Sequence, residues 1–198
     1  VIRGNATTAD FYVNGVRDDV QYFRDLYNVE RVEAVKGANA LTFGRGGGGG
    51  VINRVTKQAE YVPLREVSLQ GGSFANRRVS ADAGQAINER AAVRLNGVYE
   101  NSGSFRHGVN VERYGIAPAM SLKLSERSVI RTSYEYFDDS RTVDRGIPSF
   151  GGGPVRTNRS TFFGSSKESH AEAAVQIGSV AFEHQAGSWT LRNTLMRS

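Results

Sequence analysis

From Arg65 to the end, the chain alternates apolar and polar residues with a period of two, as β-strands do when one face meets an apolar environment and the other meets water. Seven runs carry the pattern: Arg65 to Gly71, Arg77 to Ala86, Ala91 to Glu100, Arg113 to Leu124, Val129 to Phe137, Ala173 to His184, and Trp189 to the end. In the third, Ala91, Val93, Leu95, Gly97 and Tyr99 fall opposite Ala92, Arg94, Asn96, Val98 and Glu100. In the fifth, Ile130, Thr132, Tyr134 and Tyr136 oppose Arg131, Ser133 and Glu135. The first of these faces suits lipid and the second suits water. The Ala173 run is the least regular, since its apolar residues change phase between Ile177 and Val180, which predicts a bulge near Gly178.

The connections sort by length. Asn88-Glu89, Ser125-Glu126-Arg127 and Ala186-Gly187 are short, Gly72 to Asn76 is intermediate, and Asn101 to Asn110 and Asp138 to Ser169 are long. Tight turns alternating with long loops are expected of an outer-membrane barrel, and Tyr99, Tyr134, Tyr136 and Trp189 near strand ends suit its interfacial aromatic girdle. A water-soluble all-β domain has no reason to sort its loops in this way. Seven tilted strands cannot close a wide barrel, and an open sheet leaves unpaired edges, so the strands are expected to be part of something larger.

Before Arg65 the text changes. Val29, Val32 and Val35, interleaved with Glu30, Arg31, Glu33 and Lys36, read as a strand that Gly37 ends. Ala38 to Phe43 is compatible with one helical turn, Gly44 to Gly50 holds no regular structure by itself, and Val51 to Thr56 restarts an extended pattern. A glycine tract beside basic residues suggests a phosphate loop. That loop needs Lys followed by Ser or Thr after its last glycine and then a helix, whereas Gly50 leads into Val51, Ile52 and Asn53.

Composition narrows the class. At 198 residues with 39% hydrophobic content and 23 glycines, a conventional globular core is not favoured. No apolar run approaches the roughly 18 residues of a transmembrane helix, so any membrane span is expected to be made of strands. The opening shows no basic n-region and apolar h-region, so either a signal peptide has been removed or the chain is an excerpt of a longer protein, and the excerpt is the favoured expectation. Cysteine is absent, ruling out disulfides and thiolate metal sites. The charge of +5, from 25 Lys and Arg against 20 Asp and Glu, is spread along the chain, so no nucleic-acid footprint is expected and anionic lipid headgroups suit it equally. His107, His170 and His184 lie far apart without ligand-like spacing, so no metal site is expected. No serine, histidine and carboxylate form a nucleophilic arrangement, and the chain is read as no enzyme.

Four blocks together closely resemble the plug signature of TonB-dependent outer-membrane receptors, in their ferric-siderophore branch. They are Ile2-Arg3-Gly4, Tyr12 to Asp18, Val29 to Gly37, and Phe43-Gly44-Arg45 running through Gly50-Val51-Ile52-Asn53 to Thr56-Lys57. Ala38 departs from the proline usual after that glycine, and five glycines run from Gly46. The resemblance implies a mixed α+β plug segment followed by antiparallel transmembrane β-barrel strands, a fragment of a large plugged barrel in the outer membrane of a Gram-negative bacterium. Residues 1–58 would be the C-terminal part of the plug and 59–198 the first seven or so strands of the transmembrane barrel.

By the same resemblance, the intact protein binds ferric siderophores and imports them with energy from the TonB-ExbB-ExbD complex through an N-terminal box absent from this chain. Iron would arrive as a chelate, with no cofactor and no protein-ligated metal. Asn5, Thr7, Gln21, Tyr22 and Phe23 fall where the family's apical plug loops meet the siderophore; a pocket of hydroxyls, amides and aromatic rings suits an iron chelate. Ordinary loop residues are the competing reading, and Tyr22 and Phe23 could be packing aromatics before Arg24 to Asn28, which resembles the short plug helix. Arg3 and Lys36 match basic positions that face barrel glutamates and seat the plug; the competing reading is solvated strand charge. The loop Asp138 to Ser169, with its Phe162-Phe163-Gly164 cluster, resembles the extended extracellular loop. Alternatives keep the fold and carry cobalamin, heme or a glycan, or make the barrel a passive porin. The wording at Tyr27 to Arg31 and Val51 to Asn53 favours a siderophore.

Overall fold

Asn14-Gly15, two residues that tolerate positive φ, turn the chain between β1 (Phe11–Val13) and β2 (Val16–Arg17) at φ 51 and 83, the requirement of a tight hairpin. The computed structural model describes residues 11–18, 20, 22–36, 43 and 50–198. Arg3, Asn5, Thr7, Gln21, most of the helical turn expected at 38–43 and the glycine tract 44–49 lie outside them. The glycine-flanked runs form β3 (Val29–Val35) and β4 (Val51–Thr56), as their β-branched content predicts. These strands make a four-stranded sheet in the order β2-β1-β4-β3, with β1 parallel to β4 and β3 antiparallel to it. Asn53 fixes the hairpin by accepting from Gly15 N at 3.0 Å, and Asn14 donates to Thr56 Oγ1 at 2.8 Å.

The helix expected at Arg24 to Asn28 does not form, and no α-helix occurs among the described residues. Asp25 is the reason. Its carboxylate accepts from Tyr27 N at 3.0 Å and reaches across to two arginines of the second sheet, so side-chain hydrogen bonds replace helical ones. A turn closed by Val29 N donating to Leu26 O at 3.1 Å then delivers the chain into β3.

The seven alternating runs become one seven-stranded antiparallel sheet: β5 (Leu64–Gly72), β6 (Asn76–Ala86), β7 (Ala91–Gly103), β8 (Asn110–Ser125), β9 (Ser128–Thr142), β12 (His170–Ala186) and β13 (Trp189–Arg197). Within the long loop, β10 (Ser149–Phe150) and β11 (Gly153–Pro154) add a small hairpin. Cross-strand register puts Val79 against Leu69 and Tyr99, Tyr99 against Tyr114, Leu95 against Ala83, and Val180 against Thr132 and Leu195. That face is exposed and apolar. Tyr99 and Tyr114 stand near its long-loop end, and Trp189 near the short-turn end, which is the girdle arrangement.

Register runs unbroken through Gly178, opposite Tyr134 on one side and Arg197 on the other, so the expected bulge is absent. The phase change has another cause. Val175 and Ile177 point to the inner face, where Val175 packs against the cluster of Tyr27, Val98, Ala117 and Phe137 and Ile177 is buried. The irregularities that do occur lie at Val29/Arg31 and Lys123/Ser125.

Candidate functional site

The inner face of the large sheet meets the small sheet at three levels. Nearest the short turns, Lys57, at the end of β4, bonds Asp82 at 2.9 Å, while Arg94 chelates the same carboxylate through Nε and Nη2, both at 2.8 Å. Arg94 also approaches Glu30 at 3.6 Å, Lys57 donates to Tyr27 O at 2.9 Å, and Ser121 donates to Ala59 O at 2.7 Å. Asp82 is buried, so its charge is tolerated only because two cations face it.

At the middle level the Tyr27 ring enters a socket formed by Val98, Ala117 and Phe137, with Val175 at its edge. Its hydroxyl points toward Glu135 without a hydrogen bond of good geometry. Burial pushes the Tyr27 phenol well above its ordinary range, with the charges of Glu135 and Asp25 acting in the same direction.

Toward the long loops lies a six-membered ionic cluster. Arg78 holds both oxygens of Asp25, at 2.7 and 2.8 Å, and bonds Glu100 at 2.7 Å. Arg113 donates Nη1 to Asp25 at 3.2 Å and stands 3.6 Å from Glu100 and 3.5 Å from Asp139. Arg141 chelates Asp139, at 2.6 and 2.5 Å, and its guanidinium lies 3.4 Å from the ring centre of exposed Phe23. Burial pushes the Asp25 carboxyl upward, but the Arg78 hydrogen bonds, its charge, the Tyr27 amide and Arg113 outweigh that and hold it below the ordinary carboxylate range.

Tyr22 is packed within the small sheet. Its hydroxyl donates to Asp18 at 3.3 Å and accepts from Arg54 at 3.0 Å, beneath the Arg24 guanidinium 4.3 Å from the ring centre. Phe23 is 59% exposed and faces the long-loop side. Lys36 is exposed at the end of β3 and makes no ion pair with another described residue. Sequence reasoning assigned no pairing to Asp25, Lys57, Asp82 and Arg94, which do pair across the sheets; neither the strand alternation at Asp82 and Arg94 nor the local wording around Asp25 and Lys57 signals which partner each meets. Asp25 also reverses the expected polarity, with an acid on the small sheet facing arginines on the large one.

No group of three metal-ligating side chains occurs among the described residues. A hollow of about 1080 Å³ involves Leu95, Met120, Tyr134, Val180 and Leu195 of the apolar outer face, so it is lipid-facing surface rather than a ligand pocket. Among the described residues, no helix is long and apolar enough to cross a membrane.

Residues 1–51 match the family model of the TonB-dependent Receptor Plug Domain. The chain is 31% identical over 209 residues to the Catecholate siderophore receptor Fiu of Escherichia coli K12, covering 98% of this chain and 27% of that protein. It is 30% identical over 207 residues to the Probable TonB-dependent siderophore receptor PiuA of Acinetobacter baumannii, covering 98% of this chain and 28% of that protein. Among solved structures, PiuA superposes with a TM-score of 0.92 at 26% identity, over 99% of this chain and 29% of that one. The open form of Fiu gives 0.91 at 29% identity, over 99% and 32%. The chain thus spans under a third of the length of these relatives.

Proposed function

The chain belongs to the TonB-dependent receptor family, and from that membership we propose that the whole protein is an outer-membrane receptor that binds a ferric siderophore and imports it with TonB-supplied energy. The observation that carries this reading is the seating of a small β-sheet, by ion pairs and the Tyr27 socket, on the polar face of a sheet whose other face is apolar and girdled by aromatics. A passive porin has no use for such a seat. The reading divides the chain into plug (residues 1–58) and barrel strands (59–198), with any helices of an α+β plug lying outside the described segments. The work-performing partner is the TonB-ExbB-ExbD complex, and the iron is cargo.

Asn5, Thr7, Gln21, Tyr22 and Phe23 are the proposed contacts of the chelate, with Phe23 the best placed because it is exposed on the long-loop side. Arg141 beside it offers a cation next to an aromatic ring, which suits an anionic aromatic chelate such as a ferric catecholate. This agrees with the catecholate receptor among the relatives. Arg3 and Lys36 are proposed to pair with carboxylates of barrel strands beyond this chain. The test is uptake of labelled iron by cells carrying the full-length gene, supplied with a hydroxamate, a catecholate or a carboxylate siderophore, with and without TonB. TonB-dependent uptake of the catecholate is expected; uptake of none of the three overturns the siderophore reading.

A further inference from the structure

Arg113 is the least settled member of the upper cluster. Its Nε is buried without a hydrogen bond, suspended 3.6 Å from Glu100 and 3.5 Å from Asp139, both beyond bonding distance. Its one good contact is the 3.2 Å bond from Nη1 to Asp25. A buried unsatisfied donor midway between two carboxylates needs only a small shift to gain a partner. What keeps Asp139 from claiming it is Arg141, which occupies both of its oxygens. Arg141 is in turn the member that leans toward the open side, over Phe23.

We propose that Arg113 is a positioning residue for import: when an anionic ligand engages Arg141, Asp139 is released to draw Arg113 off Asp25, and Asp25 is left on Arg78 alone, which loosens the uppermost of the three levels of contact. The ligand step rests on the function proposed above; the charge exchange does not. Asp139 is 3% exposed in its side chain, so once deprived of Arg141 it becomes an uncompensated buried charge with Arg113 as its nearest remaining cation. The two arrangements of Arg113 supply the discrete element that coupling across a structure requires. Because Asp25 also holds the Tyr27 amide, loosening at Asp25 is readable there.

The experiment is amide hydrogen exchange of segment 22–28 in the full-length receptor in micelles, without ligand. Arg141→Gln is expected to speed exchange at Tyr27 roughly ten-fold, as loss of one charge-assisted bond implies. The double variant Asp139→Asn with Arg141→Gln is expected to return to the wild-type rate, since no charge is left to pull Arg113. An unchanged rate in Arg141→Gln, or a double variant as fast as the single one, overturns the proposal. Arg141→Met, which keeps an apolar stem over Phe23, replaces Arg141→Gln should that variant fail to assemble. A separate arm adds the ferric complex of 2,3-dihydroxybenzoate to the wild type. Faster exchange is expected; no effect, alongside loosening in Arg141→Gln, removes the ligand step and leaves the charge exchange standing.

Discussion

The ring of Tyr27 lies stacked on that of Phe137, centroids 6.2 Å apart and planes 21° apart, directly over the point where Gly115 presents no side chain. A Cβ at Gly115 would sit 2.8 Å from the Tyr27 hydroxyl oxygen and 3.0 Å from the Phe137 ring. Close approach therefore requires glycine at this position of β8.

Gly115→Val is expected to leave the large sheet intact while unseating Tyr27, at a cost of about 1–3 kcal/mol for an overpacked site. Tyr27→Phe is expected to change stability by less than about 1 kcal/mol, because the hydroxyl lost is buried without a good hydrogen bond. Phe137→Ala, which empties the floor of the socket, is expected to cost about 3–5 kcal/mol. Denaturant titration of the refolded receptor in micelles ranks the three, and protease sensitivity of the 22–28 segment locates the loss.

Asp25 sets the pH behaviour of the upper clasp. Its carboxyl is held below the ordinary range in the folded chain, so its contribution is fully present above the unfolded value of about 3.9 and is lost only as pH falls through the lower folded value. Protection of the Tyr27 amide, corrected for intrinsic exchange chemistry, is expected to be flat from neutrality to about pH 5 and to fall only below about pH 4. Asp25→Asn is expected to be weakly protected throughout. Loss of protection between pH 6 and 7 would point to histidine rather than to Asp25.

At the lower level, Asp82→Asn leaves Lys57 and Arg94 facing each other without their shared carboxylate. Breaking a buried pair in this way is expected to cost about 3–5 kcal/mol. Lys57→Met is expected to cost less, since Arg94 still neutralises Asp82. The order of the two variants in a thermal melt checks this.

On the outer face, Leu95 is 48% exposed toward the lipid side, with Ala83 and Pro118 beside it on neighbouring strands. Leu95→Arg is expected to destabilise the barrel by about 2–4 kcal/mol in a bilayer, and Leu95→Phe to be nearly neutral. Folding into lipid vesicles measured by heat-modifiable mobility distinguishes them; equal folding of both variants would mean that this face does not meet lipid.

The sequence by itself determined the strands, because alternation with a period of two is a local property: residues i and i+2 share a face whatever the rest of the chain does. Each of the seven runs became a strand of one sheet, with tight turns between β6 and β7, β8 and β9, and β12 and β13, and Asn14-Gly15 carried a hairpin signal that was readable without neighbours. The plug wording identified the family for the same reason, since its blocks are short and contiguous. Tertiary structure decided the rest. Asp25 abandoned a helical turn because two arginines 53 and 88 residues away offered stronger bonds than the backbone did. The apolar pair Val175 and Ile177 breaks the alternation because both face inward, Val175 against the Tyr27 cluster and Ile177 buried on the same face. Lys36 resembled a seating residue and is exposed among the described residues, whereas Lys57, which closes the fourth plug block but carried no expectation of a partner, meets Asp82. Which charge pairs with which depends on the height at which each strand meets the inner wall, and that height is a property of the assembled sheets that no local pattern encodes.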